Sequence, residues 1–435
     1  MGGVGGGPHA CQSQRMYDAA GRLPSSGRCV GIGNGHSHVT HSFSKAAIAA
    51  QYFLYFGVMG LYLPYFNLYC YHLGFSGFHI GALSALRSVT MVVFPMLWGA
   101  LADRTRGRRP IYILCNAVSA VIWALFFFTE DFAVMALITV GYGIFYSPVI
   151  AFLEAITMET LGQGRKSYGR IRLWGSISFI TAVLVFGKLI EWFSVRLILG
   201  CILAGSLLLA LISATVPRDS RSPLTAMPPG ARAMLLRRSI FFLASGFLML
   251  ASHGAYYGFF SIHLETLGYS SAFIGLCWAV ASSAEILAML YSEAIFNRFA
   301  LERVLLASFA VATLRWLVLS AVSSPAALLT AQVLHAMTYG TFHMASILYM
   351  DRLAPPGAKN MGQALNNALT YGLGLMAGFL VNGALYGRLG SFGLFQVSAA
   401  IALAGGAVFG AFLWLAGGTA VEDVSGGRPR SRNDD

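Results

Sequence analysis

Five charged side chains lie inside long apolar runs of this 435-residue chain: Arg87, Glu154, Arg172, Glu285 and Arg315. An ionisable group within hydrocarbon costs at least a few kcal/mol, so such groups pair with each other or mark the path of an ion or solute. Arginine is the hardest to place, because a guanidinium has no neutral form at cellular pH. Glu154 stands about one turn before its run ends, and Arg172 stands about one turn into the next. A short polar segment joins the two runs, so they are antiparallel and hold both residues at one depth. The spacing predicts a Glu154–Arg172 pair. It reads as a fixed bridge with Arg172 snorkelling to the headgroups, as a gate, or as a guanidinium that takes a substrate carboxylate when Glu154 lets go. Arg170 is expected in the solvated loop.

The denser set is Glu285, Arg315 and His335, in three successive runs. His343 lies two turns beyond His335 with Tyr339 midway, so these three share one helix face. Gln332 and Thr338 flank that stripe, and a face this polar belongs in the interior. A buried carboxylate with a switchable arginine partner and a histidine nearby can load and release a proton. Glu285 is expected as the proton site, Arg315 as its switching partner, and His335 as relay or ligand. The same residues also suit a static cluster that fixes helix packing. His335 and His343 lack a third ligand, so no metal site is expected. His253 and Tyr256 share a face and read either as substrate contacts or as a structural histidine with its neighbour. Arg87 reads as an anion attractor or as a snorkelling side chain. Asn366 and Asn367 read as further solute contacts.

Helices must hold these groups in register. The chain is 57% hydrophobic and only 11% charged, against roughly 25% charged in soluble domains. Twelve mostly apolar runs are predicted near 46–69, 78–101, 110–129, 132–157, 170–190, 195–215, 239–264, 272–293, 302–322, 325–350, 360–386 and 389–415. Each approaches or exceeds the length of about 20 residues that spans hydrocarbon. They must be helical, because backbone groups in lipid need partners within their own segment. The net charge of +12 does not point to nucleic acid. Lys and Arg cluster in short loops on one side, which places both termini in the cytoplasm. Loops assigned to the other side carry only Lys188, Arg196 and Arg388. Cys11, Cys29, Cys70, Cys115, Cys201 and Cys277 show no CxxC spacing, so neither a disulfide framework nor a metal site is expected. Residues 1–44 are Gly- and Ser-rich without a signal-peptide core. They read as a disordered tail, despite His36, His38 and His41; residues 417–435 read as a second tail.

The chain also repeats. "LGFSGFHIG" (73–81) and "LGYSSAFIG" (267–275) align without gaps, and at the same offset Gly60 meets Gly254, Tyr62 meets Tyr256 and Phe66 meets Phe260. The Pro-, Ser- and Arg-rich stretch 216–238 reads as a cytoplasmic linker between six-helix halves at 45–215 and 239–416. An even number of helices in each half makes the repeat parallel.

"GALADRTRGRRP" (99–110) resembles the loop signature of the major facilitator superfamily, with Asp103, Arg104, Arg108 and Arg109 in its charged places. The resemblance makes these four a conformational latch rather than a substrate site. "YGRIRLWGS" (168–176), "HGAYYGF" (253–259), "GLCWAVASSAEI" (275–286), "LRW" (314–316) and "QVLHAMTYGTFHMA" (332–345) resemble the 3-phenylpropionate permease group, relatives of lactose permease and the nucleoside–proton symporters. The likeness implies an all-α integral membrane protein, with twelve transmembrane helices in two pseudo-repeated six-helix bundles. It implies proton-coupled import of a small organic solute by alternating access. In those relatives, carboxylate, arginine and histidine residues at such helix positions carry coupling, as expected here of Glu285, Arg315 and His335. The expected cargo is an aromatic carboxylate such as 3-phenylpropionate; the alternatives are a sugar or nucleoside, or an exported drug or metabolite. No GxSxG, HExxH or phosphate-cradling loop appears, so an enzyme is not expected. The expected partners are the solute, protons and the lipid bilayer. No cofactor is expected, and the chain is expected as a monomer in a bacterial inner membrane.

Overall fold

The computed structural model describes residues 35–105, 107–162, 167–217, 237–355 and 357–417. Most of the expected tails and linker lies outside these residues. Among the described residues the chain forms twelve helical spans. The first six are α1 (Gly35–His72), α2 (Gly77–Thr105), α3 (Arg108–Ala124, closed by a 3-10 turn), α4 (Phe132–Leu161), α5 (Tyr168–Trp192) and α6 (Leu197–Ser213). Next, α7 joins Arg237–Ser252 to Gly254–Thr266 through a break at His253; α8 is Ser271–Leu290 and α9 is Leu301–Leu319. Helix α10 contains Pro325–Val333, the π-helical Ala336–Thr341 and Phe342–Leu353. Helix α11 opens with Lys359–Asn366 and the π-helical Asn367–Gly374, then shares Leu375–Gly417 with α12; the two part at Gly390, where φ is 63°. Large apolar side chains such as Phe128, Leu137, Leu211 and Trp414 are exposed, as lipid-facing positions are in a bundle with apolar helix surfaces.

The repeated motif has a repeated physical job. Gly74 and Gly268 are equivalent, and both take positive φ, 79° and 85°. Each ends a helix: the Phe75 N–H donates to Cys70 O, and the Tyr269 N–H donates to Leu264 O. This left-handed turn satisfies carbonyls that the helix end leaves free, and glycine adopts it at least cost. Ser76 and Ser270 then cap the next helix, accepting from the amides of His79 and Phe273.

The same motif ends in Ile-Gly, and these glycines let the halves touch. A β-carbon on Gly81 would strike the Phe379 carbonyl and Gly383 of α11; one on the equivalent Gly275 would strike the Val183 carbonyl of α5. Around them Tyr65 Oη donates to Val183 O (2.9 Å) and Asn67 Nδ2 donates to Gly258 O (3.0 Å). His72 Nε2 lies 2.7 Å from Glu265 Oε1. These contacts join the two halves on the face where α1 ends at His72, opposite the Gly417 end of α12.

Candidate functional site

Helix α10 carries the stripe expected from its spacing. Tyr339 stacks on His335 (centroids 5.4 Å, planes 23°) and on His343 (6.1 Å, 7°). The π-helical turn runs through this stripe. Such turns widen a helix locally and recur at functional sites. Within the turn, Gly340 faces Glu285 of α8, at a spacing where a β-carbon would make ordinary contact.

Arg315 of α9 is fully buried. Its Nε donates to Ala331 O (2.8 Å), its Nη2 to Gln332 Oε1 (2.9 Å), and its Nη1 to Thr338 Oγ1 (3.2 Å) and His335 Nδ1 (2.7 Å). The guanidinium also lies over the rings of Tyr256 (4.3 Å) and Trp316 (4.7 Å), a cation–π arrangement that replaces lost hydration. A guanidinium has donors only, so His335 Nδ1 must accept, and the neutral ring carries its hydrogen on Nε2. That nitrogen faces Glu285 Oε1 at 2.7 Å and so donates to the carboxylate. Tyr257 Oη lies 3.3 Å from the same nitrogen.

This geometry corrects the expected direct Glu285–Arg315 pair. His335 stands between them, because α10 presents its stripe to α8 while Arg315 reaches α10 from the other side. The chain has a direction. The Glu285 side chain is 20% exposed and His335 only 3%, so the carboxylate is the end that water can meet. One carboxylate oxygen holds His335; the other can take a proton without disturbing the ring. A second proton on the ring would have to go on Nδ1 and would break the bond to Arg315.

Several of the other expected contacts are packed inside the second half. His253 and Tyr256 are both fully buried. His253 Nδ1 lies 2.8 Å from Met249 O, and its ring meets Trp316 edge-on at 5.0 Å. Tyr256 serves as the face beneath Arg315. Asn366 is buried and accepts from Thr370 Oγ1. His343 meets Tyr371 at 5.0 Å. Tyr257 and Tyr371 were not expected as site residues, although both lie in Tyr-Gly pairs and Tyr257 adjoins Tyr256.

In the first half, no ion pair joins Glu154 to Arg172 among the described residues. Arg172 instead lies over Phe56 at 3.9 Å and Tyr52 at 5.6 Å, with Tyr168 as a polar neighbour of both Arg172 and Glu154. The expected direct pair is therefore replaced by ring contacts, which antiparallel spacing cannot foresee. Arg170 is exposed. Arg87 lies over Tyr62 at 4.4 Å. At the start of α3, Arg108 bridges Asp103 of α2 (3.3 Å) and Glu159 of α4 (3.9 Å). Arg109 donates to the Val216 and Ala214 carbonyls, where a cation suits the end of α6. Arg104 is exposed.

Residues 46–397 match the MFS_1 like family. The chain belongs to that family. It is 29% identical over 363 residues to the probable 3-phenylpropionic acid transporter of Escherichia coli, covering 82% of this chain and 94% of that protein. It is 28% identical to the maltose permease of Geobacillus stearothermophilus over 79% of this chain and 88% of that protein. The crystal structure of the nucleoside transporter NupG superposes with a TM-score of 0.75 at 20% identity, covering 85% of this chain and 98% of that one. This MFS_1-like protein therefore has the twelve-helix major facilitator fold and is a multi-pass membrane protein of a secondary-transporter family.

Proposed function

We propose that this protein imports a small organic carboxylate together with a proton across a bacterial inner membrane by alternating access. The chain from Glu285 through His335 to Arg315 carries this reading. It ends in a carboxylate with one oxygen free for a proton, beside a histidine whose tautomer an arginine fixes. Protonation of Glu285 removes its charge and loosens its hold on His335, and the π-helical turn of α10 is a natural place for that change to be felt.

The cargo class rests on charge and on kinship. Arg87 and Arg172 are guanidinium groups within the spans, resting on rings rather than on carboxylates. A relative covering most of the chain carries the name of a transporter for an aromatic acid. With both termini cytoplasmic, the closed face is external and the arrangement is inward-facing. The halves 45–215 and 239–416 then rock about the midplane, and Asp103, Arg104, Arg108 and Arg109 act as a latch on the cytoplasmic side. His253, Tyr256, Tyr339 and His343 shape the polar interior of the second half, and Glu154 tunes the Arg172 region. The protein works as a monomer and without a cofactor.

The test is uptake into liposomes containing purified protein, with an inward proton gradient and labelled 3-phenylpropionate, maltose or uridine. Gradient-driven uptake of the acid, abolished by a protonophore, is the expected result. Uptake of maltose or uridine alone would overturn the cargo class. Uptake indifferent to the gradient would overturn coupling.

A further inference from the structure

Two guanidinium groups from different helices rest on one stripe of rings along α1. Arg172 of α5 covers Phe56 and Tyr52; Arg87 of α2 covers Tyr62, with its Nη2 3.5 Å from Met59 Sδ. Among the described residues, Arg87 has no carboxylate within ion-pair distance. Partly buried Arg87 thus rests on a ring and a sulfur without a counter-charge, so an anion that arrives there gains a charge-assisted hydrogen-bond partner.

The surroundings are specific. Tyr55, Tyr62, Tyr142 and Tyr146 all lie within the electrostatic reach of Arg87. Their rings are nearly parallel: Tyr55 on Tyr146 (5.2 Å, 9°), Tyr146 on Tyr142 (4.8 Å, 17°) and Tyr142 by Tyr62 (6.5 Å, 16°). The Tyr142 hydroxyl is buried with no hydrogen-bond partner. The Tyr146 hydroxyl is its polar neighbour, so its one hydrogen can turn to a stronger acceptor near Arg87.

We propose that Arg87 and Tyr142 read the carboxylate of the cargo, while Tyr55, Tyr62 and Tyr146 pack against its apolar body. This rests on the carboxylate cargo proposed above and assigns its recognition to α1, α2 and α4 of the first half, apart from the proton chain of the second. A forked guanidinium grips both carboxylate oxygens, and the rings favour an aromatic acid over an aliphatic one of equal charge.

The test measures binding of 3-phenylpropionate and its neutral amide to purified protein. Wild type should prefer the acid. Arg87→Gln should weaken acid binding roughly ten- to a hundred-fold, as loss of a charge-assisted hydrogen-bond pair does, and leave amide binding nearly unchanged. Arg87→Lys should recover part of the loss, and Tyr142→Phe should weaken the acid several-fold. If Arg87→Gln fails to fold, the other two variants decide. Acid preference unchanged in both Arg87→Lys and Tyr142→Phe would overturn this assignment alone. A wild type that does not prefer the acid would overturn the cargo class and the assignment with it.

Discussion

Glu285→Gln is expected to separate energy coupling from cargo movement. The amide keeps an oxygen that can accept from His335 Nε2 at the 2.7 Å contact, so the local geometry survives. It cannot exchange a proton. Among the described residues no other carboxylate touches the His335–Arg315 pair, which supports one proton per transport cycle. A gradient of one pH unit is worth about 1.4 kcal/mol per proton, enough for about a tenfold accumulation. In the variant that ratio should fall to about one, since no proton links the gradient to the cargo. Counterflow between labelled and unlabelled cargo needs no net proton movement and should persist at a comparable rate. One proton per monoanion would also give a charge signature. A monoanion moving with one proton carries no net charge, so an imposed potential should leave wild-type accumulation unchanged. A neutral sugar or nucleoside moving with one proton carries a full charge, and about 100 mV would then add about 2.3 kcal/mol, near fifty-fold. Proteoliposomes with independently set pH and potassium–valinomycin gradients measure both. A Glu285→Gln protein that still concentrates the acid would refute the coupling role. Joint loss of accumulation and counterflow would make Glu285 a cargo or packing residue instead.

Further predictions concern the closed face and its turns. Gly275→Leu should drive a side chain into the Val183 carbonyl and open that face. A short bifunctional thiol reagent linking His72→Cys to Glu265→Cys should then give less product than without Gly275→Leu; equal yield would show that the glycine contact does not hold the closure. Gly268→Ala places a β-carbon on a backbone with φ 85°, costing about 1–2 kcal/mol. The melting temperature in detergent should fall, and Gly74→Ala should lower it by a similar amount; no change in either would mean the turn relaxes freely.

Much of the architecture was legible because its causes are local. A run long enough to cross hydrocarbon must be a helix, and twelve such runs make the fold class plain. The motif at 73–81 and 267–275 was visible as a repeat, and its turn has short-range reasons: a glycine for the left-handed turn, a serine for the cap. Sharing of one α10 face by His335, Tyr339 and His343 also followed from spacing along a single helix.

Partner choice did not follow. Glu285 and Arg315 look like a pair on paper, yet His335 separates them, and the expected partner of Arg172 gives way to the rings of Tyr52 and Phe56. Those outcomes depend on how neighbouring helices rotate and how closely they approach. The π-helical turn shifts both for α10, and nothing in the order of residues marks that turn. Tyr142 and Tyr146 sit one turn apart and could have been noticed, but their meaning depends on Arg87, which arrives from another helix. The sequence determined which segments cross the membrane and which of them turn alike, since lipid and backbone sterics act on each segment alone. Only the tertiary structure decided which charges meet, because that is settled between helices.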